Sequence, residues 1–418
     1  MSQPYNSGRR PGTAGYPSGT GNAPGRTGRQ EHRPAEEMPR RAARWNWSDI
    51  SLVFMILFIL AFGLIILYSA SYYDAAMNRE SNYDPMFYLK KQGTWMMLGL
   101  AAMFLGSLIP YRFWWKVSYA AYFGSLLLVA ACLAFPKVNG AHRWIRLGSF
   151  NLQPAELVKI AVIILMARLI VTNGRKLKYL RTNFIIMVMP VIASALIYGV
   201  NSNLSSAIIV TMIAFFMLFV GEEKWLRFFV VTGLLVAAAA LVVHLVLSNT
   251  SSTAVEGAYR FRRIIAWQDP EAYAATWGFQ TIQALYAIGS GGFMGKGLGR
   301  SLQKLSNIPE VQNDMIFSII CEELGLFGAI VVLLMFGYLC YRLMVIAENA
   351  RDIYGSLLVV GVLAHISVQV LLNIAVVTNT LPNTGVTLPF ISYGGSSVLF
   401  TLAEMGIALN VARSAKLT

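Results

Sequence analysis

Long runs of apolar residues, each roughly 18 to 25 residues long, constrain this chain more than any other feature of its sequence. A run of that length, folded as an α-helix, spans the hydrocarbon core of a bilayer. The composition agrees, because 56% of the 418 residues are hydrophobic and only 13% are charged, whereas a soluble domain carries about 25% charged residues. The sequence therefore predicts an all-α polytopic membrane protein.

Ten such runs can be counted along the chain. The fifth and sixth are separated only by the residues NSN, which predicts a tight helical hairpin. The even count places both termini on one side of the membrane. The predicted spans are 49–70, 92–109, 117–135, 155–172, 183–200, 203–220, 226–247, 315–340, 355–378 and 393–412.

The distribution of charge indicates which side is cytoplasmic. Much of the net charge of +14 lies in the first 44 residues and in short loops such as 174–181. Basic loops tend to stay in the cytoplasm, so both termini are predicted to be cytoplasmic, and no nucleic-acid partner is needed to explain the charge. The first 44 residues, rich in Gly, Pro, Arg and Ser, are predicted to be a disordered tail near membrane lipid, and 45–418 to be the membrane domain.

The loop at about 248–314, between the seventh and eighth spans, is too long to be a simple connector. Apolar residues recur at helical spacing from Phe279, which predicts short amphipathic helices lying in the membrane interface. The glycine-rich segment, residues 289–299, lacks the spacing of a P-loop and is predicted to be a flexible outward loop. Cations in the outward loops depart from the usual charge bias and predict an anionic ligand there. They are Arg143, Arg146, Arg260, Arg262, Arg263, Lys296, Arg300 and Lys304.

Charged residues also open two of the spans, where an ion is costly unless it has a partner or a function. Glu156 and Lys159 are three residues apart, so a helix places them on one face, where they can form an ion pair. A purely structural pair is the alternative to a substrate site. Asp314 lies at the positive end of the eighth span, which favours an ionised carboxylate. There it could act as a base or simply cap the helix.

Further polar residues fall at membrane depth, where they must face the protein interior or a wet cavity. His365, Gln369 and Asn373 are spaced by four residues and form one stripe on the ninth span. Interhelical hydrogen bonding explains such residues as well as a function does. The same holds for the glutamates of the eighth and tenth spans, Glu322, Glu323 and Glu404.

The segment that leads into the tenth span, residues 379–397, contains two prolines and several glycines, which exclude a regular helix until about Tyr393. Irregular backbone near a membrane is tolerated only where it is buried in protein or lines a cavity. The sequence therefore predicts a structured re-entrant or capping loop.

Several of these segments resemble the SEDS family, named for shape, elongation, division and sporulation. TGVTLPFISYGGSS at 384–397 is similar to the family's signature, and RWIRLGSFNLQPAELVKI at 143–160 also matches. So does the ordered series GSGGFMGKGLG, IPE, NDMIF and EELGLFG. The resemblance covers about Asp49 to Arg413 and is closer to the division and sporulation branch, FtsW and SpoVE, than to the elongation branch, RodA.

This resemblance implies a peptidoglycan glycosyltransferase that polymerises lipid II, a disaccharide-pentapeptide on undecaprenyl pyrophosphate, at the outer face of the bacterial cytoplasmic membrane. It implies a class B penicillin-binding protein as the transpeptidase partner, together with other division or sporulation proteins, and a place at the division septum. The family's key acid corresponds to Asp314, its QPxExxK element to Glu156 and Lys159, and its RW pair to Arg143. One departure is Gln312-Asn313 where the family commonly has His-Thr.

The implied reaction is a single displacement, in which the 4-hydroxyl of the acceptor sugar attacks the anomeric carbon of the donor and undecaprenyl pyrophosphate leaves. It needs a base near the hydroxyl and cations near the pyrophosphate. Asp314 fits the base, or it could help to bind a divalent cation such as Mg²⁺ or Mn²⁺; no organic cofactor is expected. The candidate substrate-binding residues are Arg143, Glu156, Lys159, Arg260, Arg262, Arg263 and Lys296.

Two functions of other classes remain open. A lipid II flippase or another transporter should carry ions at mid-membrane on broken helices related by an internal repeat, and the sequence has no clear repeat. A non-catalytic scaffold for division proteins would not need Arg143, Lys159 and Asp314 together.

Overall fold

A computed structural model describes residues 47–137, 140–148, 150–222, 259–305 and 311–415, and Gly233. The predicted tail at 1–44 lies outside these residues, as does the predicted span at 226–247 apart from Gly233. The helices are α1 (Trp47–Met77), α2 (Phe87–Leu108), α3 (Arg112–Ala131), α4 (Pro154–Asn173), α5 (Leu180–Asn201), α6 (Leu204–Gly221), α7 (Tyr259–Gln268), α8 (Phe279–Gly291), α9 (Ile316–Glu348), α10 (Ile353–Val377) and α11 (Gly395–Ser414).

The prediction of an all-α polytopic membrane fold is confirmed. Among the described residues, 7 helices are long and apolar enough to cross a membrane: α1, α3, α5, α6, α9, α10 and α11. The helix α4 differs from these because it carries three charged residues, Glu156, Lys159 and Arg168, and α2 is less apolar because it carries Lys90 and Lys91 in its first turns. The count of ten spans stays a prediction. The helix α9 runs to Glu348, well beyond the predicted end at 340.

The helix α10 lies at the centre of the bundle, where it packs against α4, α6, α9 and α11. This position buries the polar stripe of α10, so that His365, Gln369 and Asn373 are at most 2% exposed. The helices α2 and α11 also approach each other closely, because a Cβ on Gly406 would overlap the carbonyl oxygen of Met103. Small residues allow such close contact between membrane helices.

A cap at the other end of the bundle fixes the start of α10. The N–H of Gly355 donates to Asp352 Oδ1 at 2.9 Å, and the hydroxyl of Tyr111 donates to Asp352 Oδ2 at 2.7 Å. Burial raises the pKa of Asp352, but these bonds, together with that from Arg112, outweigh burial and hold the pKa below its usual value. The ionised carboxylate therefore joins the α2–α3 connection to the first turn of α10.

The helix α9 is broken at Gly325, whose φ of 69° and ψ of −165° lie outside the helical region. Glycine adopts this conformation without the steric cost that a Cβ would bring. The glycine-rich segment fills the break with four backbone hydrogen bonds of 2.9–3.1 Å. They are Lys296 N to Glu322 O, Gly297 N to Glu323 O, Leu326 N to Gly292 O and Phe327 N to Phe293 O. The segment predicted to be a flexible loop is thus bonded to a membrane helix along its backbone.

A small β-hairpin that the sequence did not predict connects α3 to α4. Its strands are β1 (Ile145–Leu147) and β2 (Phe150–Leu152), which pair in antiparallel register with Arg146 opposite Asn151. Gly148 supplies the positive φ of 62° that a tight hairpin turn requires. Strands of three residues are too short to produce a recognisable alternation of apolar and polar residues, so the sequence does not predict them.

Candidate functional site

One end of the helix bundle gathers the segments that carry the predicted site residues. The loop at 379–394 lies there without regular helix, in agreement with the prediction, and α11 begins at Gly395. Ser205 at the start of α6 donates to the carbonyl of Thr384, and Tyr393 N donates to Gln312 O at 2.8 Å. The loop therefore connects α6 to the residues that precede α9.

Asp314 lies just before α9, and it is only 8% exposed. The N-cap residue of α9 is Met315, which makes no side-chain capping bond, so Asp314 does not occupy the capping position that was the alternative explanation for it. Its carboxylate oxygen Oδ1 lies 3.4 Å from Gln280 Nε2 on α8. Its backbone carbonyl accepts a hydrogen bond of 2.8 Å from Asn373 on α10.

A series of hydrogen bonds leads from Asp314 through Gln280 to Asn383 and Arg263. Asn383 Nδ2 donates to Gln280 Oε1 at 2.8 Å, and Arg263 Nη1 on α7 donates to the carbonyl of Asn383 at 3.2 Å. A Cβ on Gly385 would lie 3.8 Å from Asp314 Oδ2, so the loop backbone passes directly beside the carboxylate. Of the three predicted arginines at 260–263, Arg263 is thus connected to this group. The side chains of Arg260 and Arg262, on α7, lie outside the described residues.

Glu156 and Lys159 form the predicted ion pair in the first turns of α4. Their charged atoms are 2.8 Å apart, and the side chains are 7% and 1% exposed. A buried pair of this kind tolerates desolvation only if its remaining hydrogen-bonding capacity is used. Lys159 Nζ also donates to Gln369 Oε1 on α10 at 3.3 Å.

The polar stripe of α10 joins the Lys159 pair to Asp314. Gln369 binds Lys159 and also donates to the carbonyl of Thr387 at 3.0 Å. About one helical turn further along, roughly 5.4 Å, Asn373 binds the carbonyls of Asp314 and Val386 at 2.8 and 2.7 Å. The stripe therefore holds α4, the 379–394 loop and the start of α9 in one arrangement.

Arg143 lies at the same end of the bundle but binds the backbone of the α5–α6 hairpin. Its Nε and Nη2 atoms donate to the carbonyls of Asn201 and Ser202 at 3.1 and 2.9 Å. Cations at the end of a helix satisfy its last carbonyls and interact favourably with its dipole. In this conformation Arg143 therefore stabilises the end of α5.

Lys296 lies at the break of α9, and its ammonium group is bound to a buried glutamate. Lys296 Nζ is 2.7 Å from Glu322 Oε1 and donates to Ser290 Oγ at 2.8 Å. The neighbouring carboxylate of Glu323 pairs with Lys304 at 2.7 Å. Glu322 therefore anchors the glycine-rich segment to α9, and Glu323 anchors the residues that follow it. The contacts described for Lys296 do not include Asp314.

The loop beside the site contains a strained turn at a residue other than glycine. Phe390 has a φ of 64°, and Ile391 N donates to Pro389 O at 2.8 Å, which closes a γ-turn. Such a conformation costs on the order of 1–3 kcal/mol and persists only where the surroundings hold it. Phe390 and Ile391 are 3% and 0% exposed, so packing of the loop against the bundle supplies that constraint.

Sequence reasoning missed Gln280, which contacts Asp314, and Asn383, which donates to Gln280. Neither has a charge, and neither falls on the stripe of α10, so no periodicity distinguished them. The only signal in the sequence is their position in two segments that are predicted to lie near the site, α8 of the long loop and the 379–394 loop.

Comparison with known proteins places the chain among relatives of similar length. The model of the FtsW/RodA/SpoVE family of cell cycle proteins matches residues 50–417. A probable peptidoglycan glycosyltransferase FtsW of Trichlorobacter lovleyi is 37% identical over 386 residues, 91% of this chain and 97% of the relative. Stage V sporulation protein E of Bacillus subtilis is 37% identical over 368 residues, 87% of this chain and 97% of the relative.

Solved structures show the same architecture. One is a chain from a structure that describes the structural coordination of polymerization and crosslinking by a peptidoglycan synthase complex. It aligns with a TM-score of 0.72 and 28% identity, covering 90% of this chain and 100% of that chain. The Rod shape determining protein RodA of Thermus thermophilus aligns with a TM-score of 0.60 and 26% identity, covering 90% of this chain and 99% of that one.

Proposed function

Because the chain belongs to the FtsW/RodA/SpoVE family, we propose that it is a peptidoglycan glycosyltransferase that polymerises lipid II into glycan strands during cell division or sporulation. The observation that carries the proposal is the placement of Asp314. This nearly buried carboxylate lies where the 379–394 loop meets α9, and the α10 stripe connects it to the buried cation of Lys159.

The proposed mechanism gives Asp314 the role of general base. Its carboxylate accepts the proton of the acceptor's 4-hydroxyl as that oxygen attacks the anomeric carbon of the donor, and the pyrophosphate leaves. Gln280 lies within 3.4 Å of the carboxylate and orients it without neutralising its charge. A positioned base of this kind contributes roughly 10²–10⁴-fold to the rate.

The leaving pyrophosphate requires positive charge close by. Arg263 is connected to Asp314 through Asn383 and Gln280. Lys159 contributes a buried positive charge one helical turn away along α10. In the proposal Arg263 binds the diphosphate, and Arg260 and Arg262 of the same helix are further candidates for this role. Glu156 and Lys159 shape the site. Arg143 and Lys296 would reach the substrate only after leaving their present partners.

A divalent cation is compatible with this site as a shared ligand. The described residues contain no group of three or more His, Cys, Asp and Glu side chains that could hold a metal by themselves. Mg²⁺, however, is commonly held by one or two carboxylates together with substrate phosphates. Asp314 would be its protein ligand. The ion would supply positive charge to the leaving pyrophosphate.

The proposed setting follows from the charge of the loops. With both termini in the cytoplasm, the end of the bundle that carries Asp314 faces outward, where lipid II is presented for polymerisation. A class B penicillin-binding protein that cross-links the glycan is the proposed partner, and the division septum the proposed location. Support comes from the structural relative that belongs to a complex for polymerization and crosslinking.

The broken helix α9 is the feature that a transporter would be expected to have. Here, however, the glycine-rich segment occupies the break, and Glu322 and Glu323 are each paired with a lysine. The break therefore presents no open ion site among the described residues, and polymerisation remains the better proposal.

The decisive experiment replaces Asp314 with asparagine, which has nearly the same shape but cannot accept the proton. Purified Asp314→Asn protein should extract and unfold thermally as the wild type does, and it should form no glycan strands from lipid II. Asp84→Asn is the matched control, because Asp84 forms an exposed pair with Lys90 outside the site and its removal should leave polymerisation intact.

Full glycan synthesis by Asp314→Asn would overturn the role of this residue as the base. Transfer of lipid II across vesicle membranes without polymer, by the wild-type protein, would favour the flippase instead. Both assays should be run with and without the transpeptidase partner and a divalent cation.

A further inference from the structure

His365 is the residue of the α10 stripe that lies farthest from Asp314 along the helix, and each of its ring nitrogens has a hydrogen-bond partner. His365 Nδ1 lies 2.6 Å from Glu404 Oε2 on α11, and His365 Nε2 lies 2.8 Å from Gln369 Oε1. The histidine and the glutamate are each 1% exposed. The second oxygen of this carboxylate, Glu404 Oε1, is buried and has no hydrogen-bond partner among the described residues. This pair is not used in the mechanism proposed above.

The orientation of the Gln369 amide is determined by its neighbours. Its Nε2 atom donates to the carbonyl of Thr387 at 3.0 Å, and its Oε1 atom accepts from the ammonium of Lys159 at 3.3 Å. A flipped amide would place oxygen against a carbonyl and N–H against an ammonium, which are both repulsive. The atom that faces His365 is therefore an oxygen, which can only accept.

This orientation fixes the number of protons on the pair. Nε2 of His365 must carry a hydrogen, because its partner is an acceptor. Nδ1 faces a carboxylate oxygen at 2.6 Å, and two bare acceptors would repel at that distance, so a second proton lies between them. The pair is then neutral overall, as imidazolium and carboxylate or as imidazole and carboxylic acid.

The charges around the His365–Glu404 pair also favour one proton shared between the two side chains. The other charged groups that face the stripe from α4, Glu156 and Lys159, already form a neutral ion pair. An additional uncompensated carboxylate at Glu404, with one oxygen lacking any hydrogen bond, would be very costly at this depth. One shared proton removes that cost.

We propose that His365 and Glu404 share a proton that holds Gln369 in place, and that this pair is the positioning element of the active site. Through Gln369 it fixes the ammonium of Lys159 and the carbonyl of Thr387 in the 379–394 loop. Without the shared proton, His365 would present either a bare Nε2 to Gln369 or a bare Nδ1 to Glu404, and the chain of bonds would open. The positioning role rests on the proposed polymerase function, whereas the shared proton does not.

The proton is tested by ¹⁵N NMR of histidine-labelled full-length protein in lipid nanodiscs. The chain has only 4 histidines, so a His365→Gln variant assigns the signal of His365. We expect a protonated Nε2 and a proton shared between Nδ1 and the carboxylate. A bare Nε2, with the hydrogen only on Nδ1, would overturn the proposal.

The positioning role is tested by two substitutions of Glu404. In Glu404→Gln the amide can donate to Nδ1, so Nε2–H and Gln369 stay in place, and polymerisation should remain close to wild type. In Glu404→Leu the ring loses its partner, and kcat should fall roughly tenfold or more while KM for lipid II changes little. Equal activity of the two variants, whether both are high or both low, would contradict the role.

Asn183→Leu is the control for a purely structural loss. Asn183 on α5 donates to the buried Glu222, just after α6, at 2.9 Å. Neither residue belongs to the stripe, so the loss of this bond should lower the unfolding temperature but not kcat. The Asp314→Asn variant separates the two proposals. If that variant polymerises, the assigned base is wrong, while the NMR measurement still decides whether the proton is shared.

Discussion

At the scale of single residues, the site combines groups that are stable only together. Lys159 is 1% exposed and is surrounded by Glu156 and Gln369, so its charge depends on partners that lie within hydrogen-bonding reach. Such an arrangement contributes little net stability, because desolvation offsets the attraction between the charges. Removal of one partner is costly, since it leaves the other charge buried and uncompensated. Stability alone therefore does not account for the pair, which is consistent with its proposed role in shaping the polymerase site.

This reasoning predicts opposite effects for a single and a double substitution. Lys159→Met should lower the free energy of unfolding by about 3–5 kcal/mol, because the carboxylate of Glu156 is left alone in the interior. The double variant Glu156→Gln/Lys159→Met should recover most of that stability and still fail to polymerise lipid II. Thermal unfolding in detergent and the glycan assay measure the two effects. Wild-type stability of the single variant, or activity of the double variant, would contradict the prediction.

At the scale of secondary-structure elements, the joint between α8, the glycine-rich segment and α9 depends on close backbone contact. A Cβ on Gly291 would overlap the carbonyl oxygen of Cys321, so α8 ends directly against the backbone of α9. The break at Gly325 then leaves backbone groups that the segment satisfies. In a membrane each unsatisfied group costs several kcal/mol, which explains why the segment is bound so completely.

Two alanine substitutions within α8 test this contact. Gly291→Ala should destabilise the protein by roughly 1–3 kcal/mol, because the two backbones must move apart. Gly289→Ala is the matched control, since no described residue has an atom within 4 Å of its Cβ position. There alanine should be neutral, or stabilising by up to about 1 kcal/mol through its higher helix propensity. Equal unfolding temperatures for the two variants would show that the joint is looser than described.

At the scale of the whole molecule, the arrangement of the bundle in the membrane decides whether the site meets its substrate. The residues around Asp314 and the 379–394 loop occupy one end of the bundle, and the Asp352 cap occupies the other. Polymerisation outside the cell requires the first end to face outward. Loop charge supports this orientation, and a direct measurement can establish it.

Cysteine labelling measures the orientation. Cys132, Cys321 and Cys340 are buried or half-buried, and they are first replaced by alanine. Glu271→Cys, in the exposed turn between α7 and α8, should react with a membrane-impermeant maleimide in right-side-out vesicles. Arg175→Cys, in the exposed turn between α4 and α5, should react only after permeabilisation. The reverse pattern would place Asp314 in the cytoplasm and overturn the proposed function.

Much of the fold could be predicted because hydrophobicity along the chain is a local property. The spans, the two helices of the long loop and the irregular 379–394 loop all have local signals in apolar runs, helical spacing and prolines. The break of α9 could not be predicted, since "EELGLFG" continues the helical pattern and only the segment that fills the break reveals it. The hairpin before α4 was too short to recognise.

By itself the sequence determined that the chain is an α-helical polytopic membrane protein, and it predicted the Glu156–Lys159 ion pair and marked Asp314 as a candidate, because those features depend on residues close together in the chain. Only the tertiary structure decided that Asn373 binds the backbone of Asp314, that His365 meets Glu404, and that Lys296 is held by Glu322. Helical periodicity fixes the face of one helix on which a side chain lies. The facing residue on the next helix depends on the packing of the whole bundle, which no single segment encodes.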